Sequence, residues 1–404
     1  MRPTLDSLSQ PASLPPAQTG HATSACLSLV QKWRRISVWS GCLVTFLASS
    51  ILCMLAIIRS VEYVPSNEDL LRRMHDGQLH VQGNRILKFQ QFPRGGDEVP
   101  PTPNWTIPEV AVGTEAAEFL HSTARFIATN FSFSPGLGNN MFQYASLLGI
   151  ALTNNATLLL PDGGLVRRCF LADSARVVAN SVLGNLSKEW ASGRMAMADC
   201  CRYYNSSEEL ADSAFLMGYF QSWRYFHPRW AAAIRADFAF LPVLRQEAAQ
   251  LLDQALEGAG RPLLGAEKRT LVGVHVRHGM DVSWNSRNMA HGHVVAPASY
   301  LRRAFRGRYA NVSFVVVSDN PHWVRRHLAA PDVVFLDTGA RELDLCALTL
   351  TDHTIMSTGT FSWWAAYLTG GEAIYWDGWP RSGSKMQAMT SKTDYFLPQW
   401  EAMM

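Results

Sequence analysis

The chain predicts an α/β fold with a parallel sheet, preceded by a transmembrane helix and a stem, and three observations predict it. Short apolar runs alternate with helical patterns through the second half. A parallel strand can follow another only through a long crossover, usually a helix, so this alternation implies helices on both faces of the sheet. Glycine, hydroxyl and charged residues gather directly after several of those runs, at the strand ends where ligands collect in such sheets. A membrane-length apolar run stands upstream of all of them, over residues 36–58.

Residues 1–35 read as a cytoplasmic tail, rich in Ser, Pro, Ala and Thr and closed by Lys32, Trp33, Arg34 and Arg35. The uncharged run that follows reaches about 35 Å as a helix, enough to cross a hydrocarbon core of about 30 Å with some tilt. It is too long, and begins too late, for a cleaved signal peptide. The basic cluster precedes it and only Arg59 closely follows, so the expectation is a signal-anchor with everything after residue 58 outside the cytosol. Residues 59–124 have poor periodicity and gather prolines at Pro100, Pro101, Pro103 and Pro108, which reads as a stem.

Six sequons, at Asn104, Asn130, Asn155, Asn185, Asn205 and Asn311, all lie after the anchor and are expected to carry glycans. Of the seven cysteines, Cys169, Cys200, Cys201 and Cys346 belong to the globular part, where Cys169 is expected to join Cys200 or Cys201. Cys346 sits in an apolar helical pattern and reads as a buried free thiol. Neither a paired-cysteine spacing nor a His-x-x-x-His helix accompanies them, so no zinc site is expected. The net charge of +3, with no long basic run, argues against nucleic acid as a partner.

The amino-terminal half of the body spans 125–265. A strand over 126–133 is broken by Pro135, Gly136, Leu137, Gly138, Asn139 and Asn140; a helix over 141–152 and a strand over 156–160 follow. A glycine turn opening a helix offers N–H groups to an anion, although such a turn is as often a plain connection, and the third glycine and acidic partner of the dinucleotide fingerprint are missing. In the middle, 215–223 reads as a strand entering an aromatic loop and 247–256 as a helix; Tyr219, Gln221, Trp223, Tyr225 and His227 suit either a sugar face or ordinary core.

The carboxyl-terminal half spans 266–404. Strands are expected at 271–276, 313–317, 333–336, 354–356 and 373–376, with helices at 300–308, 321–328, 341–350 and 362–368. The stretch 271–281, LVGVHVRHGMD, is the centre of this half. An apolar strand ends in His275, Arg277 and His278, and burying that polar capacity costs several kcal/mol unless an anion or a carboxylate meets it. An internal ion pair holding a turn is the alternative from the strand alone. Other strand ends carry Ser318 with Asp319, and Ser357, Thr358, Gly359, Thr360 and Phe361, the last group opening a helix with hydroxyls and N–H groups.

Gly136-Leu137-Gly138-Asn139 with Met141 to Ala145, then Val272 to Arg277, then His353 to Phe361 through Trp364 to Gly371, resemble the galactoside alpha-1,2-fucosyltransferases, glycosyltransferase family 11. The resemblance implies a GT-B-like pair of Rossmann-like domains facing a cleft, GDP-fucose as donor, and a single-pass type II Golgi membrane protein with a lumenal catalytic portion. It implies galactose-terminated glycans as acceptors, and leaves a second copy of the chain open as a partner. Where the family shows Arg-Arg-Gly-Asp-Tyr, this chain has Arg277-His278-Gly279-Met280-Asp281, and Asn140 stands where glutamine is usual.

The beta-phosphate of a departing nucleotide must be met by positive groups or a metal. The chain contains no Asp-x-Asp pair, so no metal and no cofactor are expected, and Arg277 takes the clamp. By the resemblance, Asn139 and His275 join Arg277 as catalytic residues, and Gly138, Ser318, Asp319, Ser357, Thr360 and Phe361 bind the donor. The expected reaction is an inverting attack by a galactoside 2-hydroxyl, with Asp281, Asp319 and Asp344 as candidate bases by position. Two alternatives stand beside it: fucose transfer to another acceptor position or to a protein hydroxyl, and a membrane-tethered sugar-binding protein without turnover.

Overall fold

The computed structural model describes residues 79–82, 85–88, 105–131, 136–190, 195–196, 199–205, 210–262, 269–306 and 311–404. Strands β1 (Leu79–Gln82) and β2 (Arg85–Lys88) pair as an antiparallel ribbon. The body is built on two parallel sheets. The first holds β3 (Phe126–Ala128), β4 (Thr157–Pro161), β5 (Arg176–Val178), β6 (Met195–Ala196) and β7 (Ala214–Met217), in spatial order β5-β4-β3-β7-β6. The second holds β8 (Thr270–Val276), β9 (Val312–Ser318), β10 (Val333–Phe335), β11 (His353–Met356), β12 (Ala373–Trp376) and β13 (Glu401–Met403), in order β10-β9-β8-β11-β12-β13.

In each sheet the strand that comes first in sequence lies inside, and in the second sheet the order runs outward from β8 in both directions. The chain leaves β8 toward β9 and leaves β11 toward β12, on opposite sides, which opens a crevice at the switch point between them. β8 is buried on both faces. Val272, Val274 and Val276 pack with Tyr300 and Leu301 on one side, while Leu271 joins the main core on the other. Burial on both faces is why this strand reads as a nearly continuous apolar run.

The two sheets are joined through helices Leu137–Thr153 and Thr360–Thr369. The Phe142 ring lies 4.5 Å from that of Trp363 and 5.0 Å from that of Trp364, all three buried. Aromatic pairs of this kind contribute about 0.5–1.5 kcal/mol each beyond the area they bury. The Trp364 indole N–H donates to the Gly138 carbonyl at 3.0 Å, and that of Trp363 to the Tyr395 carbonyl at 2.7 Å. The helix expected from residue 141 begins four residues earlier, at Leu137, and takes in the glycine turn. Gly138 and Asn139 are poor helix formers, but a first turn docked against Thr360 outweighs that propensity: a Cβ on Gly138 would stand 2.7 Å from the Thr360 carbonyl carbon and hydroxyl.

Among the described residues no helix is long and apolar enough to cross a membrane. The two longest, Leu137–Thr153 and Pro242–Gly258, reach only about 26 Å at 1.5 Å per residue. This corrects the expected fold description, which carried a transmembrane helix, and with it the single-pass Golgi location; the run 36–58 that prompted both lies outside the described residues, as do the tail, much of the stem and Asn104. What the structure supports is the α/β body with two parallel Rossmann-like sheets.

The expected disulfide is also corrected. Cys169, Cys200, Cys201 and Cys346 are all free. Cys169 is buried in the core at the end of helix Leu165–Cys169, whereas Cys200 and Cys201 lie beside each other with their sulfurs 2.7 Å apart.

Candidate active site

β8 and β11 are neighbours, with Met356 opposite His275, so the residues just past their ends meet. The Arg277 N–H donates to the Ser357 hydroxyl at 2.8 Å and the Ser357 N–H to the His275 carbonyl at 3.2 Å. Gly359, at φ +88°, lets the chain turn beside Arg277, whose Cδ would lie 3.3 Å from a Cβ placed there. The guanidinium pairs with Asp281, and its Nη1 stands 3.8 Å from Asp319 Oδ2. All three side chains are about one-third exposed (34%, 35% and 33%), so Arg277 is held in place yet open to a ligand.

His275 is buried. Its Nδ1 lies 2.6 Å from the Ser362 hydroxyl, which donates to the Thr358 carbonyl at 3.2 Å, so the ring nitrogen carries the proton between them. Burial, helped by the charge on Arg277, pushes its pKa down to about 3, leaving a neutral imidazole at the cleft.

The amino-terminal half meets this centre from the other wall. Asn139 Oδ1 accepts the Thr360 hydroxyl at 2.8 Å and the Gln221 amide at 3.0 Å. Gly138 lies against Thr360 and the Phe361 amide. Gly138, Asn139, Thr360 and Phe361 thus arrive together from sequence positions more than 200 apart, with the Thr360 hydroxyl given to Asn139. Together with His275 and Arg277 they line a cleft of about 620 Å³.

The remaining expected residues have separate duties. Ser318 also lines the cleft, but its hydroxyl donates to the Val276 carbonyl at 2.7 Å and accepts the Asn320 N–H, tying the ends of β8 and β9. Asp319 accepts the His278 N–H at 2.6 Å. Partial burial raises its pKa from the ordinary aspartate value, with Arg277 opposing. Asp344, buried in the cleft wall, accepts the Thr338 N–H and hydroxyl at 3.2 and 2.8 Å. His278 stacks on Trp323 at 4.2 Å, and burial lowers its pKa. Asp281, though displaced by one position, still reaches Arg277 because a short helix, Met280–Ser283, turns it back at i+4.

Sequence reasoning did not assign cleft positions to Cys200, Cys201, Asn288, His291 or His293. The only local signal was the Asn285 cap that starts helix Ser286–His291. Burial first, then Arg277, pushes His293 down to about 4. Among the described residues no group of three or more His, Cys, Asp or Glu is arranged to hold a metal ion. The five described sequon asparagines, Asn130, Asn155, Asn185, Asn205 and Asn311, are exposed.

The model of Glycosyl transferase family 11 matches residues 126–404, which hold both sheets and the whole cleft. The chain belongs to this family. Among the relatives of this glycosyltransferase, galactoside alpha-(1,2)-fucosyltransferase 1 of Pan troglodytes is 30% identical over 374 residues, covering 88% of this chain and 93% of its own. The Homo sapiens protein of the same name is 30% identical over 321 residues, 74% of this chain and 82% of its own. A solved structure, fucosyltransferase NodZ from Bradyrhizobium, overlaps at a TM-score of 0.40 and 16% identity, over 60% of this chain and 92% of that one, a likeness too low to carry an argument. The family 11 match makes the chain an enzyme of the fucosyltransferase kind.

Proposed function

We propose that this family 11 enzyme moves L-fucose from GDP-fucose to the 2-hydroxyl of a terminal galactoside on glycoproteins or glycolipids, in one inverting displacement that does not call on a metal. The observation that carries this reading is Arg277 at the switch point between β8 and β11, one-third exposed and flanked by carboxylates that hold its fork in the cleft. Such a fork can take two diphosphate oxygens, each charged hydrogen bond contributing about 1.5–3 kcal/mol, at the place where negative charge develops on the leaving group. The donor then exchanges with Asp281 for part of the guanidinium. Neutral His275 presents its second nitrogen as a hydrogen-bond acceptor for a sugar or ribose hydroxyl.

An inverting attack brings the acceptor oxygen to the face opposite the diphosphate. Asp281 and Asp319, both within 4 Å of Arg277, therefore sit on the leaving-group side and serve the clamp. Asp344, on the cleft wall beyond β10, is left as the candidate base. Purified protein given GDP-fucose and a lactose-type acceptor tests the reading. GDP release with an alpha-1,2-linked product, undiminished by a chelator, is the expected result; a different linkage, or fucose on a protein hydroxyl alone, would overturn it.

A further inference from the structure

We propose that Cys200 and Cys201 form a vicinal disulfide that acts as a thiol–disulfide switch on the cleft. The two are consecutive, their sulfurs stand 2.7 Å apart, and both line the cleft wall. Cys200 is half-buried and reachable by a small molecule, while Cys201 is buried behind it. The Cys201 thiol donates to Gln221 Oε1 at 3.4 Å, and the Gln221 amide donates to Asn139 Oδ1, which accepts the Thr360 hydroxyl. The sulfur pair thus stands at one end of a hydrogen-bonded chain whose other end is the start of helix Thr360–Thr369.

The oxidant is a low-molecular-weight disulfide. The Cys200 thiolate attacks one of its sulfurs and expels the first thiolate. Cys201 then attacks the Cys200 sulfur and its proton passes to the second thiolate as that leaves, so that two protein thiols are oxidised and one external disulfide is reduced to two thiols. When Cys200 ionises, the single Cys201 proton turns from Gln221 to it and lowers the Cys200 pKa, which favours Cys200 as the attacker, whereas burial raises those of Cys201, Cys169 and Cys346, the last to about 12. Closure removes the proton that Cys201 gives to Gln221, so Gln221 loses one of the bonds that aim it at Asn139.

The full chain is equilibrated in mixtures of oxidised and reduced glutathione, quenched with an alkylating agent and read by peptide mass. The expected result is a peptide holding Cys200 and Cys201 that has lost two hydrogen atoms and takes no alkyl group, with Cys169 and Cys346 unchanged. The KM for GDP-fucose should rise about fivefold on oxidation, the scale of one hydrogen bond. A dithiol should restore it, and Cys200→Ser should abolish the response. Both thiols alkylated across the whole series, a link to another cysteine, or oxidation that leaves donor affinity unchanged would overturn the proposal. The kinetic readout rests on the transferase reading; GDP binding measured by calorimetry carries the same test in an inactive preparation, so the two failures are distinguishable.

Discussion

Replacing Arg277 separates a diphosphate clamp from an internal ion pair. In the structure the guanidinium meets Asp281 and stands 3.8 Å from Asp319 with all three side chains about one-third exposed. A pair so exposed contributes about 0–1 kcal/mol, so Arg277→Ala should shift the denaturant midpoint by little. Catalysis should respond on another scale. Two charged hydrogen bonds at about 1.5–3 kcal/mol each give a loss of about 3–6 kcal/mol, or about 10²- to 10⁴-fold in kcat/KM. Arg277→Lys keeps the charge but loses the planar fork, and should fall between wild type and Arg277→Ala. The assay is GDP release from GDP-fucose with and without acceptor, beside an unfolding curve for each variant. Arg277→Ala within tenfold of wild type at unchanged stability would refute the clamp; a collapse of stability with normal residual turnover would make the residue structural.

Gly138→Ala should lower stability by about 2–4 kcal/mol in chemical denaturation, because its Cβ would lie 2.7 Å from the Thr360 backbone and disturb the bond from Trp364. Gly184→Ala, on an exposed helix position with nothing within 4 Å of the new methyl, should instead stabilise by about 0.5–1 kcal/mol. His275, whose pKa is held at about 3, refuses a proton that the unfolded chain accepts below about 6.5. Stability should therefore fall as pH drops from 6.5 toward 3, and His275→Gln should remove up to one proton from that slope, read as denaturation midpoints against pH. Asp344→Asn should cut kcat while leaving GDP affinity near wild type; unchanged kcat would remove Asp344 as the base.

Strands β8 to β12 were legible because each is a short apolar run bounded by turn residues, and all five fall within a residue of their expected bounds. The helix Pro321–Leu328 falls on its expected bounds, and in the structure Asn320 caps its first turn. The amino-terminal half was less so: β3 is only three residues long, and β5 and helix Asn180–Glu189 were not assigned because nearest-neighbour patterns there are short and mixed in polarity. C-terminal strand β13, with two exposed residues in three, carries no apolar run to mark it.

By itself the sequence determined the α/β class, the strand that ends in His275 and Arg277, and the glycine turn and hydroxyl-rich helix start that resemble a family. These are local patterns, set by side-chain period and by what a backbone turn tolerates. Only the tertiary structure decided what those pieces do to one another. Strand order placed Arg277 and Ser357 side by side at one crevice, and packing brought Asn139 onto Thr360. The same long-range packing moved the sulfurs of Cys200 and Cys201 to the cleft and sealed Cys169 in the core. Contacts between residues 80 to 220 positions apart depend on how the sheets close around shared aromatic side chains, and no local pattern records that closure.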